Sequence, residues 1–134
     1  MSSDLYGERI KELAGAGSHR LHDADASARL DNPLCGDTIV VDVMMADGKV
    51  AEVGHGVKGC LLCKAAAAIA SHQAPGMDHA AATRMLEQVS ALLKSRAGPE
   101  FPDLAVFVPV RPHKSRHDCV LLPFKALVKA IPAA

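Results

Sequence analysis

Three short strings constrain this chain more than anything else in it: Cys35-Gly36-Asp37, Gly59-Cys60 and Arg116-His117-Asp118-Cys119. Each carries a thiol, and the first adds a carboxylate. Three thiolates and one Asp make a four-ligand set for a soft or borderline metal ion. The thiols run from residue 35 to residue 119, so no local loop gathers them. Only a tertiary fold that brings a turn and two later chain breaks to one point does so.

The elements between the strings show how such a fold arises. Thr38 to Met45 is β-branched and long enough for a strand, Asp47-Gly48 is a hairpin signal, and Lys49 to Lys58 returns with Val50, Val53 and Val57. Gly59 breaks that strand. Cys60 to Ser71 reads as a helix centred on Ala65-Ala66-Ala67-Ala68, whose small side chains let another backbone pack close. Pro75-Gly76 separates it from a helix over about residues 78–96, striped by Met85, Val89 and Leu92 and stopped by Gly98-Pro99. Upstream, Leu5, Ile10 and Leu13 mark a helix ending near Gly15 and Gly17. Residues 18–32 read as a polar, mobile approach with a short strand at 28–30. Residues 100–116, interrupted by proline, read as an extended connector or edge strand. A last helix carries Val120, Phe124, Leu127 and Ile131. Pro123 is compatible with it only in the first turn, which puts Cys119 at or just before its start.

At 134 residues the expectation is one domain, 1–134, with residues 1–30 as an N-terminal helix and flexible approach. Such a chain buries roughly two-thirds of its unfolded surface. One Tyr, three Phe and no Trp make the core aliphatic. Fifteen basic and fifteen acidic residues cancel, which leaves no electrostatic footprint for nucleic acid or an anionic membrane. No apolar run approaches the ~20 residues of a membrane span, and the first five residues do not resemble a signal peptide. The expected location is the cytoplasm, where four Cys are metal-binding or reactive thiols instead of disulfides.

Two of the three thiols fall at predicted helix N-termini, where backbone N–H groups and the helix dipole favour negative charge. Gly36 lets Cys35 and Asp37 face one point. Three thiolates and a carboxylate carry four negative charges, too many to hold together without a counter-ion. Zn²⁺ and an oxidised [2Fe–2S] core each supply two positive charges, so one ligand set serves either. Asp is a harder ligand than thiolate, which suits a site that passes its cargo on.

Asn32-Pro33-Leu34-Cys35-Gly36-Asp37, Gly59-Cys60 with a small-residue helix carrying Ala70-Ser71, and Arg116-x-x-Cys119 before a helix together resemble the U-type iron–sulfur assembly scaffolds (IscU, SufU and the N-terminal part of NifU). The likeness covers about residues 30–131. It implies an α+β fold, a small antiparallel sheet with helices on one face. With the strands read above the sheet is a three-stranded meander, and the metal site lies at one end. The likeness also implies a cysteine desulfurase as partner, and apo iron–sulfur proteins or carriers downstream. Where the IscU branch has His before the last Cys this chain has Asp118, and the stretch from Cys60 to Cys119 is longer. Both features point to the SufU-like branch, which resembles a zinc-containing sulfur acceptor. The Pro-Arg-Asn signature of the N-terminal segment is missing.

The site reading is Cys35, Asp37, Cys60 and Cys119 for Zn²⁺, iron or a [2Fe–2S] cluster, with Cys35 and Cys119 as persulfide acceptors. This describes a scaffold more than a true enzyme; its enzymatic form would be a zinc-dependent sulfurtransferase. Cys63 is a spare ligand, a resolving thiol or a packing residue, the last favoured by its small apolar neighbours. His117 and Asp118 are open between a role behind the ligands and a helix cap, and Arg116 between thiolate support and an ordinary solvated side chain. His55, His72, His79 and His113 read as surface residues. Two other functions compete: a thioredoxin-like dithiol oxidoreductase using Cys60 and Cys63, and a non-catalytic structural zinc domain.

Overall fold

The hairpin organises the sheet. In the computed structural model the described residues are 8–33, 36–95 and 104–133; Leu5, Cys35, Gly98 and Pro99 lie outside them. Strands β2 (Asp37–Ala46) and β3 (Lys49–Lys58) are joined at Asp47-Gly48, whose φ angles of 55° and 77° are the left-handed pair of a two-residue hairpin turn. Pairing runs from Ala46↔Lys49 to Thr38↔Lys58, with an irregularity between Met44 and Met45. Strand β1 (Ala26–Asn32) flanks β2 on its other side, antiparallel, from Ala26↔Val43 to Asn32↔Asp37. The sheet is therefore a three-stranded meander in the order β1-β2-β3.

Helix α1 is Glu8–Gly15, α2 Leu61–Gln73, α3 His79–Leu93 and α4 His117–Ala130. Side chains alternate across a strand, and Ile39, Val41 and Val43 of β2 are its buried apolar residues on the face toward the helices. Helix α4 packs under β1 and β2, α2 under β3, α1 on α2 and α3 on α4. Ala65 to Ala68 are all buried, and these small side chains let α2 contact both α1 and α4. Asp78 caps α3 by accepting from the Ala81 N–H at 2.8 Å.

Two stretches differ from their sequence expectation. The approach over 18–32 holds β1, and ahead of it residues 19–21 are fastened across the outer face of the sheet. Asp42, 1 % exposed, accepts from Arg20 Nε at 2.6 Å and Nη2 at 3.0 Å, from the Leu21 N–H at 3.1 Å and from the Ser27 hydroxyl at 2.6 Å. The Arg20 guanidinium is the main reason that its carboxyl is held down to about 2. Gly54 makes the crossing feasible: a Cβ there would lie 2.7 Å from the Leu21 nitrogen and 2.8 Å from the His19 carbonyl oxygen. The His55 N–H donates to that carbonyl at 2.7 Å, and further along β3 the Val50 N–H donates to the Met77 carbonyl and its carbonyl accepts from Gly76, each at 2.8 Å.

The second stretch, expected as a connector or edge strand, forms 3₁₀ helices over Leu104–Val110 and Lys114–Arg116. Leu104, Phe107 and Val110 are all fully buried, and their spacing of three matches the three-residue turn of that helix. The second 3₁₀ turn runs straight into α4, which therefore starts at His117. Pro123 sits inside α4 instead of in its first turn. Having no N–H, it withholds from the Cys119 carbonyl the usual intrahelical donor.

Candidate metal centre

Asp37 begins β2 on the face shared by Ile39, Val41 and Val43, so its carboxylate points toward the helix layer. Cys60 is the N-cap residue of α2, half-buried. Cys119 is the third residue of α4 and fully buried. A strand start, a helix cap and a first helical turn therefore bring three ligand-type side chains to one end of the sheet. One ligand atom of each lies within 4.8 Å of the others. Cys60 Sγ is 3.8 Å from Asp37 Oδ2, and the Cys60 N–H donates to Asp37 Oδ1 at 3.3 Å.

The separation between Cys60 and Asp37 suits a single ion. Zinc bonds of about 2.3 Å to sulfur and 2.0–2.2 Å to oxygen put tetrahedral neighbours roughly 3.5–3.8 Å apart. The Cys60–Asp37 separation is at the upper end of that range, and two thiols with a carboxylate are borderline-soft donors. The same α2 and α4 N-termini direct backbone dipoles at the group, which stabilises its negative charge.

Gly59 is the residue whose part the sequence conceals. A Cβ there would stand 2.7 Å from Asp37 Oδ1, 2.8 Å from its Cγ and 3.1 Å from its Cβ. The carboxylate lies against bare backbone, and only glycine leaves that space. The clue was in print: a glycine directly before a ligand-type Cys.

Cys35 lies outside the described residues; its neighbour Gly36, at φ 74°, adopts a left-handed conformation that glycine takes at no steric cost. Cys63 is fully buried in the core cluster, outside the convergent group, in the packing role favoured from its neighbours. His117 and Asp118 are also outside that group. His117 Nε2 lies 3.0 Å from the Arg111 carbonyl and 3.2 Å from that of Val110. Both are acceptors only, so Nε2 carries the proton and ties the first 3₁₀ helix to the start of α4. Asp118 is exposed in the first turn of α4, and the N-cap position belongs to Arg116. His55, expected on the surface, is buried, because the inward face of β3 carries it against Ser71 of α2, with Nδ1 2.8 Å from Ser71 Oγ.

Fold and site together define a small α+β domain with a thiolate–carboxylate group at the sheet end, between two helix starts. The chain matches the crystal structure of a nitrogen-fixing NifU-like protein (N-terminal) from Brucella abortus with a TM-score of 0.84 and 30 % identity, covering 96 % of this chain and 92 % of that one. It also matches a candidate iron–sulfur cluster assembly scaffold protein for the SUF system from Fervidobacterium islandicum AW-1, with a TM-score of 0.88 and 21 % identity, covering 98 % of this chain and 100 % of that one. No protein-family model matches the sequence, and no curated protein matches it. The chain belongs to the U-type iron–sulfur scaffold family, which includes the NifU N-terminal domain and SufU. Among the described residues no helix is long and apolar enough to cross a membrane.

Proposed function

We propose that this chain forms one domain and is an iron–sulfur assembly scaffold and persulfide sulfur acceptor of the SufU-like kind, working in the cytoplasm with a cysteine desulfurase and handing its cargo to apo iron–sulfur proteins or carriers. The observation that carries the reading is the convergence of Asp37, Cys60 and Cys119 within 4.8 Å. With Cys35 they form the Cys₃Asp set for Zn²⁺ or a [2Fe–2S] cluster. A bound zinc ion would hold the thiolates ionised and guard them from oxidation.

The transfer is a thiol–persulfide exchange. An acceptor thiolate attacks the outer sulfur of the desulfurase persulfide. A new S–S bond forms on the acceptor, the old one breaks, and the desulfurase cysteine leaves as thiolate, so no external oxidant is consumed. Of the two acceptors named from the sequence, Cys119 is fully buried in the first turn of α4, which favours Cys35 for the first attack. Cys60 is the more accessible of the two thiols in the convergent group. The dithiol reading using Cys60 and Cys63 is disfavoured by the burial of Cys63 and by a hairpin before α2 in place of a βαβ crossover.

The test is elemental analysis of protein purified with and without air, followed by incubation with a cysteine desulfurase and cysteine and mass mapping. Zinc or iron at one site per chain and a one-sulfur adduct on Cys35 are expected. A metal-bearing protein inert to persulfide would make it a structural zinc domain instead, and a metal-free protein would remove the site altogether.

A further inference from the structure

Beside α2, one helical turn beyond Cys60, lies a cavity of about 180 Å³ lined by Ala14, Gly17, Ser18, His55, Val57 and Lys64. Its polar lining is an ammonium, an imidazole and a hydroxyl, with no carboxylate. Lys64 is exposed at the rim and has no acidic partner among the described residues. His55 is 8 % exposed. Its Nδ1 is taken by Ser71 and its backbone N–H by the His19 carbonyl, while Nε2 has no partner among the described residues. With Nδ1 engaged, Nε2 is the ring nitrogen that a ligand in the cavity can bond. Burial first, then the nearby His19 and His72, push the His55 pKa down.

We propose that this cavity binds a small tetrahedral oxyanion held by Lys64, His55 and Ser18. Three donors arriving from α2, β3 and the segment after α1 match three oxygens of such a head group better than the two of a carboxylate. At ~30 Å³ per water the volume holds about six waters, enough for one oxyanion and part of its hydration. The lining shares no residue with the thiolate–carboxylate group, and the proposal does not depend on what that group binds. The two are adjacent all the same, because the Lys64 N–H donates to the Cys60 carbonyl at 3.1 Å.

The test follows the His55 ring by NMR while inorganic phosphate is added at constant ionic strength, with chloride and acetate as comparison anions. Phosphate is expected to move the His55 resonances saturably and to raise the His55 pKa, because a bound anion favours the imidazolium over the neutral ring. Lys64→Met removes one charge-assisted hydrogen bond from an exposed position and should weaken phosphate about tenfold or more, with Ser18→Ala as the milder second variant. Several results overturn the proposal: a still His55 while exposed histidines respond; equal shifts with chloride; phosphate binding indifferent to Lys64→Met. Equal affinity for acetate refutes the tetrahedral class.

Discussion

Replacing Gly59 with Ala tests how the site is shaped. The backbone at Gly59 is not in the left-handed region, so alanine brings no dihedral strain and its whole effect is the added methyl. That methyl would meet Asp37 at 2.7 Å from Oδ1, 2.8 Å from Cγ and 3.1 Å from Cβ, where ordinary contact starts at 3.4 Å. Because the Asp37 Cβ itself is crowded, swinging the carboxylate does not relieve the clash, and the side chain must withdraw by roughly half an ångström or more. The carboxylate then loses the Cys60 N–H at 3.3 Å and its place 3.8 Å from Cys60 Sγ. Displacing one oxygen donor from a site whose thiolates remain should weaken zinc about 10–100-fold, roughly 1.4–2.8 kcal/mol. The assay is competition for Zn²⁺ with a chromophoric chelator, supported by Co²⁺ absorption, on the wild type, Gly59→Ala, Asp37→Ala and the double variant. If the glycine acts through the carboxylate, each single variant loses affinity and the double loses no more than Asp37→Ala alone. Wild-type affinity in Gly59→Ala, or additive losses in the double, refutes the reasoning.

Three further outcomes follow from the same contacts. Asp42 is held near 2 against an ordinary value of 3.8, so its contribution of about 1–2 kcal/mol is complete above the ordinary value and disappears as pH falls through about 2. Arg20→Met should raise the Asp42 pKa in an NMR titration and flatten that acid limb in urea melts. For His55 the sign is the same but the window differs: its folded pKa lies below 6.5, the unfolded chain binds the extra proton, and the metal-free protein should lose stability as pH drops below that value. Urea midpoints that stay level across this window would contradict the burial of a neutral ring. Cys63→Ala should leave the metal stoichiometry unchanged and cost about 1 kcal/mol of unfolding free energy, the scale of a small vacated volume; loss of metal would return Cys63 to the ligand set.

Elements whose signal is local were legible in the sequence. The β-branched run, Asp47-Gly48 and the Ala65–Ala68 centre each fix φ, ψ or packing within a few residues, and β2, β3 and α2 appear where that chemistry puts them. The candidate site was legible as residue types because Asp37, Cys60 and Cys119 sit at or near the starts of elements. What was not legible depends on distant partners. Asp42 reads as one polar position in an apolar strand until Arg20 and Ser27 arrive from elsewhere in the chain. His55 looks like any surface histidine until α2 covers it. The start of α4 was displaced because Pro123 was weighed without the 3₁₀ turn that feeds the helix.

The fastening of residues 19–21 has a consequence for self-association. β3 is an edge strand of a short, β-branched sheet, the kind of surface that recruits a strand from another molecule. Here its outward hydrogen-bonding groups are engaged at both ends, His55 by the His19 carbonyl and Val50 by Gly76 and Met77. The Arg20–Asp42 pair holds the first of these covers in place. Weakening that pair therefore removes a guard as well as a contact, and the damage should show as concentration-dependent aggregation before any loss of helical signal.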